Sequence, residues 1–451
     1  MTATAAPTRN PSFGEAVRAL GRPRVALIFA QGFSSGLPFF LTAATLGFWL
    51  RDEGTSLKAI GFLSLVGLAY SFKFVWSPII DRIKLPVLGR LGLRRGWMLL
   101  TQVLVALGLV AMALTGPKAG LTTIGIAALF VAFTAASQDI VIDAFRIEWA
   151  SDLNELGMFT AVFQIGYRVA VLISDAAILS LAKHFGWPLS YVAMAILMGV
   201  GIFATFKVSE PVQADRAVAA KSPLWTPSGF ADGVAGPFVV FFKDYGLTAI
   251  LMIALIALYR LPEYVIGPMI TPFYSDLHLD KDMIAAVRTS VGLIASFVGI
   301  AAGGVVALRF GYIWALIVGG IFQAFAEASF ALLALHHDSL WFALVMSFDN
   351  FGISMAGVAL VTYMSSLTRP GYTATQYAFL TSMFAMLGKV FKGFSGWIVE
   401  SIQHSGHTLM EAYSLFFIGA GAIGTPAILL CFWLLALKQK PQLSVSSAPS
   451  S

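Results

Sequence analysis

A chain of 451 residues that is 58% hydrophobic and 12% charged carries too much apolar surface for a soluble core, where about 25% of residues are charged. The formal net charge of +6 would fit a nucleic-acid partner only if the basic residues clustered, and the single cysteine, Cys431 in the last apolar run, excludes a disulfide framework and a cysteine metal site. What remains is an all-α membrane protein that crosses the bilayer many times.

The first 24 residues, MTATAAPTRNPSFGEAVRALGRPR, lack the apolar core of a cleaved signal peptide and read as a basic tail. Twelve runs follow, each long enough at about 20 residues to cross about 30 Å of hydrocarbon. They are 25–50, 58–80, 96–115, 120–146, 156–182, 188–207, 246–272, 282–308, 312–335, 339–367, 376–400 and 409–437. An even number puts both termini on one side. Of the 29 Lys and Arg, 18 fall on that side and 5 on the other. This asymmetry places both termini in the cytoplasm and makes the basic charge a marker of topology, not of nucleic acid.

The longest loop, 208–245, divides the spans six and six. Its beginning, SEPVQADRAVAAKSPLWTPSG, has no periodic apolar face, and its end, GPFVVFFKDYG, reads as a helix lying along the inner membrane surface. The organisation expected is a tail over 1–24, a six-helix half over 25–207, a linker over 208–245, a second half over 246–437 and a disordered tail over 438–451. Six plus six around a central cytoplasmic loop resembles the major facilitator transporters. In that fold two pseudo-symmetric halves hold substrate between them at mid-membrane. After the second span, SPIIDRIKLPVLGRLGLRRGW is similar to that superfamily's loop motif. Asp81 and Arg82 fit it, and Arg94 and Arg95 precede the next helix. The resemblance implies a charge-paired latch between helices. The corresponding GGVVALRFGY of the second half keeps its glycines and Arg309 but has no aspartate.

Two motifs invite over-reading. GFSSG, Gly32 to Gly36, matches the G-x-S-x-G nucleophile elbow, but within an apolar helix it reads as G-x-x-x-G, which lets backbones approach closely. Pro38 should bend that helix. The histidines fall in or near outer loops without carboxylates at ligand spacing, so no metal or other cofactor is expected. No P-loop is present, so ATP is not the energy source.

The informative residues are charges inside the spans: Lys73, Asp139, Asp143, Arg168, Asp175, Arg260 and Glu263, with Glu327, Asp349, Lys389 and Lys392 as a second group. Charges at this depth are costly and are either paired or face a water-filled cavity. Structural pairing, such as Asp143 with Arg146, accounts for any one of them but poorly for all. Asp139 and Asp143, four apart in SQDIVIDAFR, share one helix face, and Asp139 sits about 10 Å inward of Arg146 at 1.5 Å per residue. Two carboxylates so close in low dielectric cannot both ionise easily, so the pair should hold a proton, with Arg168 taking up the charge when it leaves. Lys73, Arg168, Arg260, Lys389 and Lys392 come from both halves, and their convergence would suit an anionic substrate. Gln31, Gln138, Gln164, Asn350 and Gln376 add neutral hydrogen-bonding groups, Glu263 an acid, and Tyr70 a ring face.

QGFSSGLPF, RDEG, KFVWSPIIDR, RRGW, SQDIVIDAFR, GYR and YTATQYAFLTS together are similar to the AmpG-type muropeptide permeases. The resemblance covers nearly all of the membrane region. It implies a Gram-negative inner-membrane permease that imports GlcNAc-1,6-anhydro-MurNAc peptides with protons, acting as a monomer, and it gives weight to Asp139 and less to Asp143. One departure is YRLPE, where Pro262 and Glu263 stand in place of a glycine and an aspartate. The alternative cargo is an iron–siderophore, carried by AmpG-like permeases of the same superfamily. A membrane-embedded enzyme is set aside because no catalytic constellation is present. A passive sensor is set aside because the charges span both halves.

Overall fold

The computed structural model describes residues 22–56, 59–60, 63–211, 221–336 and 338–436. The tail to residue 21, linker residues 212–220 and the tail from 437 lie outside the described residues. The rest is helical almost throughout, with no strand among the described residues.

Among the described residues, ten passes are long and apolar enough to cross a bilayer: Pro23–Asp52, Leu93–Thr115, Leu121–Trp149, Leu153–Phe185, Trp187–Lys207, Thr248–Ile270, Ala286–Phe310, Tyr312–Leu333, Ser339–Ser366 and Leu409–Ala436. The other two expected spans, the second and eleventh, are helical but interrupted. The second runs through the 3-10 turns Ser64–Leu68 and Lys73–Val75 and short α segments to Ser77–Arg82. Pro78 has no N–H for the carbonyl of Phe74 four residues back, and the Ser77 hydroxyl donates to that carbonyl instead, at 2.8 Å. The eleventh is broken at Gly393–Phe394 between Thr373–Lys392 and Ser395–His404. The fourth and fifth passes overrun their expected ends. The fifth absorbs its extra length in the π-turn Ile173–Ala177.

Glycines set the closest helix seams. A Cβ on Gly32 or Gly36 of the first pass would lie 2.1 and 2.5 Å from the carbonyl oxygens of Phe163 and Tyr167 in the fifth. GFSSG is therefore a backbone-to-backbone seam, as its G-x-x-x-G spacing implies. The second half has the equivalent in Gly299 against Phe351 O, at 2.3 Å. Leu107, Leu114, Ile126, Ile196, Phe203 and Leu429 point outward and exposed, an apolar belt that suits hydrocarbon.

The loops after the second, fourth and tenth passes gather on one face with two linker helices, Pro227–Val234 and Gly236–Tyr245. The first of these begins at Thr226, whose hydroxyl accepts from Gly229 N. Here the two halves meet tightly: a Cβ on Gly304 of the eighth pass would lie 2.6 Å from Ala161 Cβ of the fifth. This is called the latch face below.

Candidate substrate and proton site

Pro38 leaves the carbonyl of Ser34 without its helical donor. Gln138 of the fourth pass fills the gap, its Nε2 lying 2.8 Å from Ser34 O and 3.2 Å from Ser34 Oγ. The helix is interrupted just beyond, at Thr42–Ala43. One residue along from Ser34, the Ser35 hydroxyl donates to Asp139 Oδ1. The two serines of GFSSG thus line the contact of the first and fourth passes, with no histidine base beside them among the described residues.

Asp139 and Asp143 do share a face, but in different company. Asp143 is buried, with Oδ1 3.3 Å from Arg146 Nη2 and Oδ2 4.0 Å from Lys73 Nζ. Arg146 is fully buried and donates to Thr160 Oγ1 at 2.5 Å and to Ser365 Oγ of the second half at 3.3 Å. Its guanidinium lies 5.4 Å from the Phe163 ring centroid and 5.8 Å from that of Tyr377. Asp143 is therefore tied into an ion-paired network that reaches the second half through Arg146. Asp139 is half-buried and hydrogen-bonded to a neutral hydroxyl, and Lys73 is the cation that acts on it. Of the pair, it is the one without an ion pair among the described residues. The expected exchange partner Arg168 is placed elsewhere, because its charged neighbours are Arg260 and Glu263. Lys73 stands beside the aspartates instead.

The seventh pass breaks at Arg260, between Thr248–Tyr259 and Leu261–Asp276, with Pro262 in the first turn of the second segment. Arg260 Nε donates to Glu263 Oε2 at 2.6 Å. Gln164 of the fifth pass approaches from the other half. A Cβ on Gly357 of the tenth pass would lie 3.7 Å from Gln164 Oε1 and 3.8 Å from Arg260 Nη1. Gln164 Nε2 has no hydrogen-bond partner among the described residues. Arg168, one turn further along, is half-buried and makes no hydrogen bond or ion pair among the described residues. At 1.5 Å per residue, Asp139, Gln164 and Arg260 lie about 15–18 Å from the latch-face ends of their passes, which is mid-membrane. Two guanidiniums from opposite halves, one of them unpaired among the described residues, with an amide beside them, have the chemistry to hold a carboxylate carried on an amide-rich body.

The latch spans the halves. Asp81 is buried; its oxygens accept from Arg94 Nη2 at 2.8 Å, Ala374 N at 3.1 Å, and Thr375 N and Oγ1 at 2.7 Å each. It thereby caps the eleventh pass, in the other half. Arg94, fully buried, also makes a bidentate pair with Glu148 at 2.7 and 2.8 Å. Arg95 donates to Thr205 O and Phe206 O at the end of the sixth pass. Arg82 pairs with Asp232 of the linker, which also accepts from Tyr372 Oη at 2.6 Å.

A family model described as Major Facilitator Superfamily matches residues 28–393. The chain is 35% identical over 422 residues to the anhydromuropeptide permease of Escherichia coli strain K12, covering 92% of this chain and 81% of that one. The chain belongs to the AmpG family of the Major Facilitator Superfamily. A Rickettsia felis protein named putative transporter AmpG 4 is 31% identical over 418 residues, covering 91% of this chain and 96% of that one. Among solved structures, a bacterial homologue of the iron transporter ferroportin in an outward-facing state superposes with a TM-score of 0.65 at 11% identity, covering 92% of this chain and 100% of that one. The chain is a transporter, not an enzyme.

Within this AmpG-family fold several expected substrate groups are engaged elsewhere. Gln31 is fully buried in a knot inside the first half, accepting from Gln102 Nε2 at 2.8 Å and donating to Thr205 Oγ1 at 3.0 Å. Gln138 is likewise spent on Ser34. Asn350 bridges the eighth and tenth passes through Ser296 and Met346 O. Gln376 stands at the latch face, bonded to Arg369 N and Pro237 O. A polar residue in an apolar helix must satisfy its groups somewhere, and a neighbouring helix is the nearest place. Tyr70 is half-buried, its ring edge-on to Phe39 at 5.4 Å and its hydroxyl unpartnered. The side chain of Lys389 lies outside the described residues. Sequence reasoning missed Arg146 as a bridge between halves, although its position three residues after Asp143 was a visible signal. It also missed Glu148, Asp232 and Tyr372, whose roles depend on contacts from remote segments.

Proposed function

We propose that this chain imports anhydro-muropeptides from periplasm to cytoplasm together with protons, as a monomer in the inner membrane of a Gram-negative bacterium. The observation that carries the proposal is the unpartnered Arg168 beside Arg260 of the opposite half, with the free Gln164 amide next to them. This arrangement fits a sugar-linked peptide with its carboxylates and amides, and the name of the Escherichia coli relative supports the same cargo. The first half (25–207), linker (208–245) and second half (246–437) then alternate access to this centre. Both termini and the latch face are cytoplasmic, in keeping with the excess of basic residues there. With the latch face on that side, its clasped state is the one that bars the centre from the cytoplasm. Asp139 carries the coupling proton and Lys73 answers its loss. In the cell the cargo serves wall recycling and the induction of β-lactamase.

The test is uptake of labelled anhydro-muropeptide and of labelled ferric siderophore into right-side-out vesicles under an inward proton gradient. Accumulation of the first alone is expected. Deletion of the chain should also abolish β-lactamase induction in a host where the enzyme is inducible. Siderophore uptake with normal induction would replace this cargo with the other.

A further inference from the structure

The second half buries two carboxyl groups that the scheme above does not use. Glu327 is 0% exposed and Asp349 6%. The ninth and tenth passes are locked in antiparallel register: a Cβ on Gly319 would meet Ala356 at 2.9 Å, and one on Gly352 would meet Phe322 and Ala326 at 3.0 and 3.2 Å. That register sets Glu327 level with Asp349. On the far side the twelfth pass presents Gly421, whose Cβ would lie 2.5 Å from Ala324 O. Of the charged groups packed around them, the seventh pass supplies Glu263 to both and Arg260 to Glu327, and Arg288 faces Asp349. The Tyr274 hydroxyl also lies toward Asp349. Neither carboxyl has an ion pair among the described residues.

The hydrogen bonds around Glu327 are short of donors. Its Oε1 accepts from Gln323 Nε2 at 3.0 Å. Its Oε2, the Gln323 Oε1 one turn away, and Asp349 Oδ1 are buried acceptors without a donor. An ionised carboxyl only accepts, whereas a protonated one donates. A proton on Glu327 Oε2 lets acid and amide bond in both directions, N–H to the acid carbonyl and O–H to the amide carbonyl. Without it, an unpaired charge stands in a dry helix seam.

We propose that Glu327, with Asp349 beside it, is a second proton-binding site of the transporter, separate from Asp139 and coupled to the substrate centre through the Arg260–Glu263 pair. The proton comes from water and rests on the carboxyl oxygen. Its loss places a further negative charge near Arg260 and weakens the pull of that guanidinium on an anionic substrate, so proton and substrate bind cooperatively. Only this consequence rests on the transport reading; the site belongs to the empty protein.

Difference infrared spectra of purified protein in liposomes, titrated without substrate in an Asp139→Asn background, read the C=O stretch of a protonated carboxylic acid. A band at neutral pH is expected that Glu327→Gln removes, that Glu327→Asp shifts in frequency, and that Asp349→Asn lets disappear at lower pH. Helicity and monodisperse elution verify the fold of each variant. No such band at any pH, or a band that survives Glu327→Gln, overturns the site. With anhydro-muropeptide and Asp139 intact, Glu327→Gln should carry one proton fewer per substrate while still exchanging labelled for unlabelled substrate. An unchanged ratio overturns the coupling. If no variant, nor the wild type, takes up anhydro-muropeptide, the cargo assignment fails and the infrared result still decides the site.

Discussion

Replacing Asp81 with asparagine should open the latch face. The aspartate makes one bond within its own half, to Arg94, and three to the other half, at Ala374 N, Thr375 N and Thr375 Oγ1. Only those three are lost when the halves part. Asparagine is of the same shape and keeps one acceptor oxygen but no charge. Charge assistance is worth about 1 kcal/mol per bond, so the closed form loses about 3 kcal/mol, a shift of about 100-fold in the open-to-closed ratio. Arg94 stays paired with Glu148, so the fold should survive. Cys431 is buried and is the single cysteine. A Cys431→Ala background with Val87→Cys and Phe310→Cys, both exposed at the latch face, therefore allows two spin labels in opposite halves. Pulsed electron resonance should show one short distance in the parent and a second, longer population in Asp81→Asn. Identical distance distributions would refute the assignment of Asp81 as the inter-half clasp.

Asp139→Asn should abolish uptake driven by a pH gradient while the protein still inserts and folds; normal accumulation under a gradient would remove the proton from this site. Arg168→Ala should weaken binding of a carboxylate-bearing substrate more than that of a neutral disaccharide, by about 10-fold if one charge-assisted bond is lost; equal losses would mean a packing role. Gly32→Ala should cost about 1–3 kcal/mol of stability through overpacking, read as a lower thermal midpoint, because its Cβ would fall 2.1 Å from Phe163 O, whereas Gly199→Ala, with nothing within 4 Å, should leave the midpoint unchanged. Burial, and then Arg82, push the Lys221 ammonium down to about 8. The docked linker therefore binds fewer protons than the undocked one between about pH 8 and the ordinary lysine value, and docking strengthens as pH rises through that window. Chymotryptic cleavage at the exposed Trp225 should slow over the same range, and Lys221→Gln should erase the slope.

The fold was legible because hydropathy reports spans directly: a helix in lipid must satisfy its own backbone, so apolar length is nearly a structural statement. The breaks were less so. Pro38 announced one of them, but where the freed carbonyls of Ser34 and Phe74 would find donors depended on Gln138 and Ser77, the first more than a hundred residues away. Within the site, Asp139 stood out as a charge without a local partner. Gln31, Asn350 and Gln376 looked equally polar and equally deep, and only the contacts separate helix-bonding amides from Gln164, whose amide nitrogen stays free. Periodicity gives the face of a residue, not which neighbour fills it. For that reason Arg168 was assigned to the aspartates when it stands with Arg260.

The seam of Gly32 and Gly36 against Phe163 and Tyr167 has a mechanical consequence. Helices whose backbones touch cannot slide or part by small steps, so the first and fifth passes move as one stiff beam. Ser35, in contact with Asp139, and Gln164 and Arg168, facing the opposite half, ride on that beam together. If Asp139 carries the coupling proton as proposed, its loss need not be relayed side chain by side chain to be felt at the cargo. Any tilt it permits in one member is delivered, undiminished, by the other.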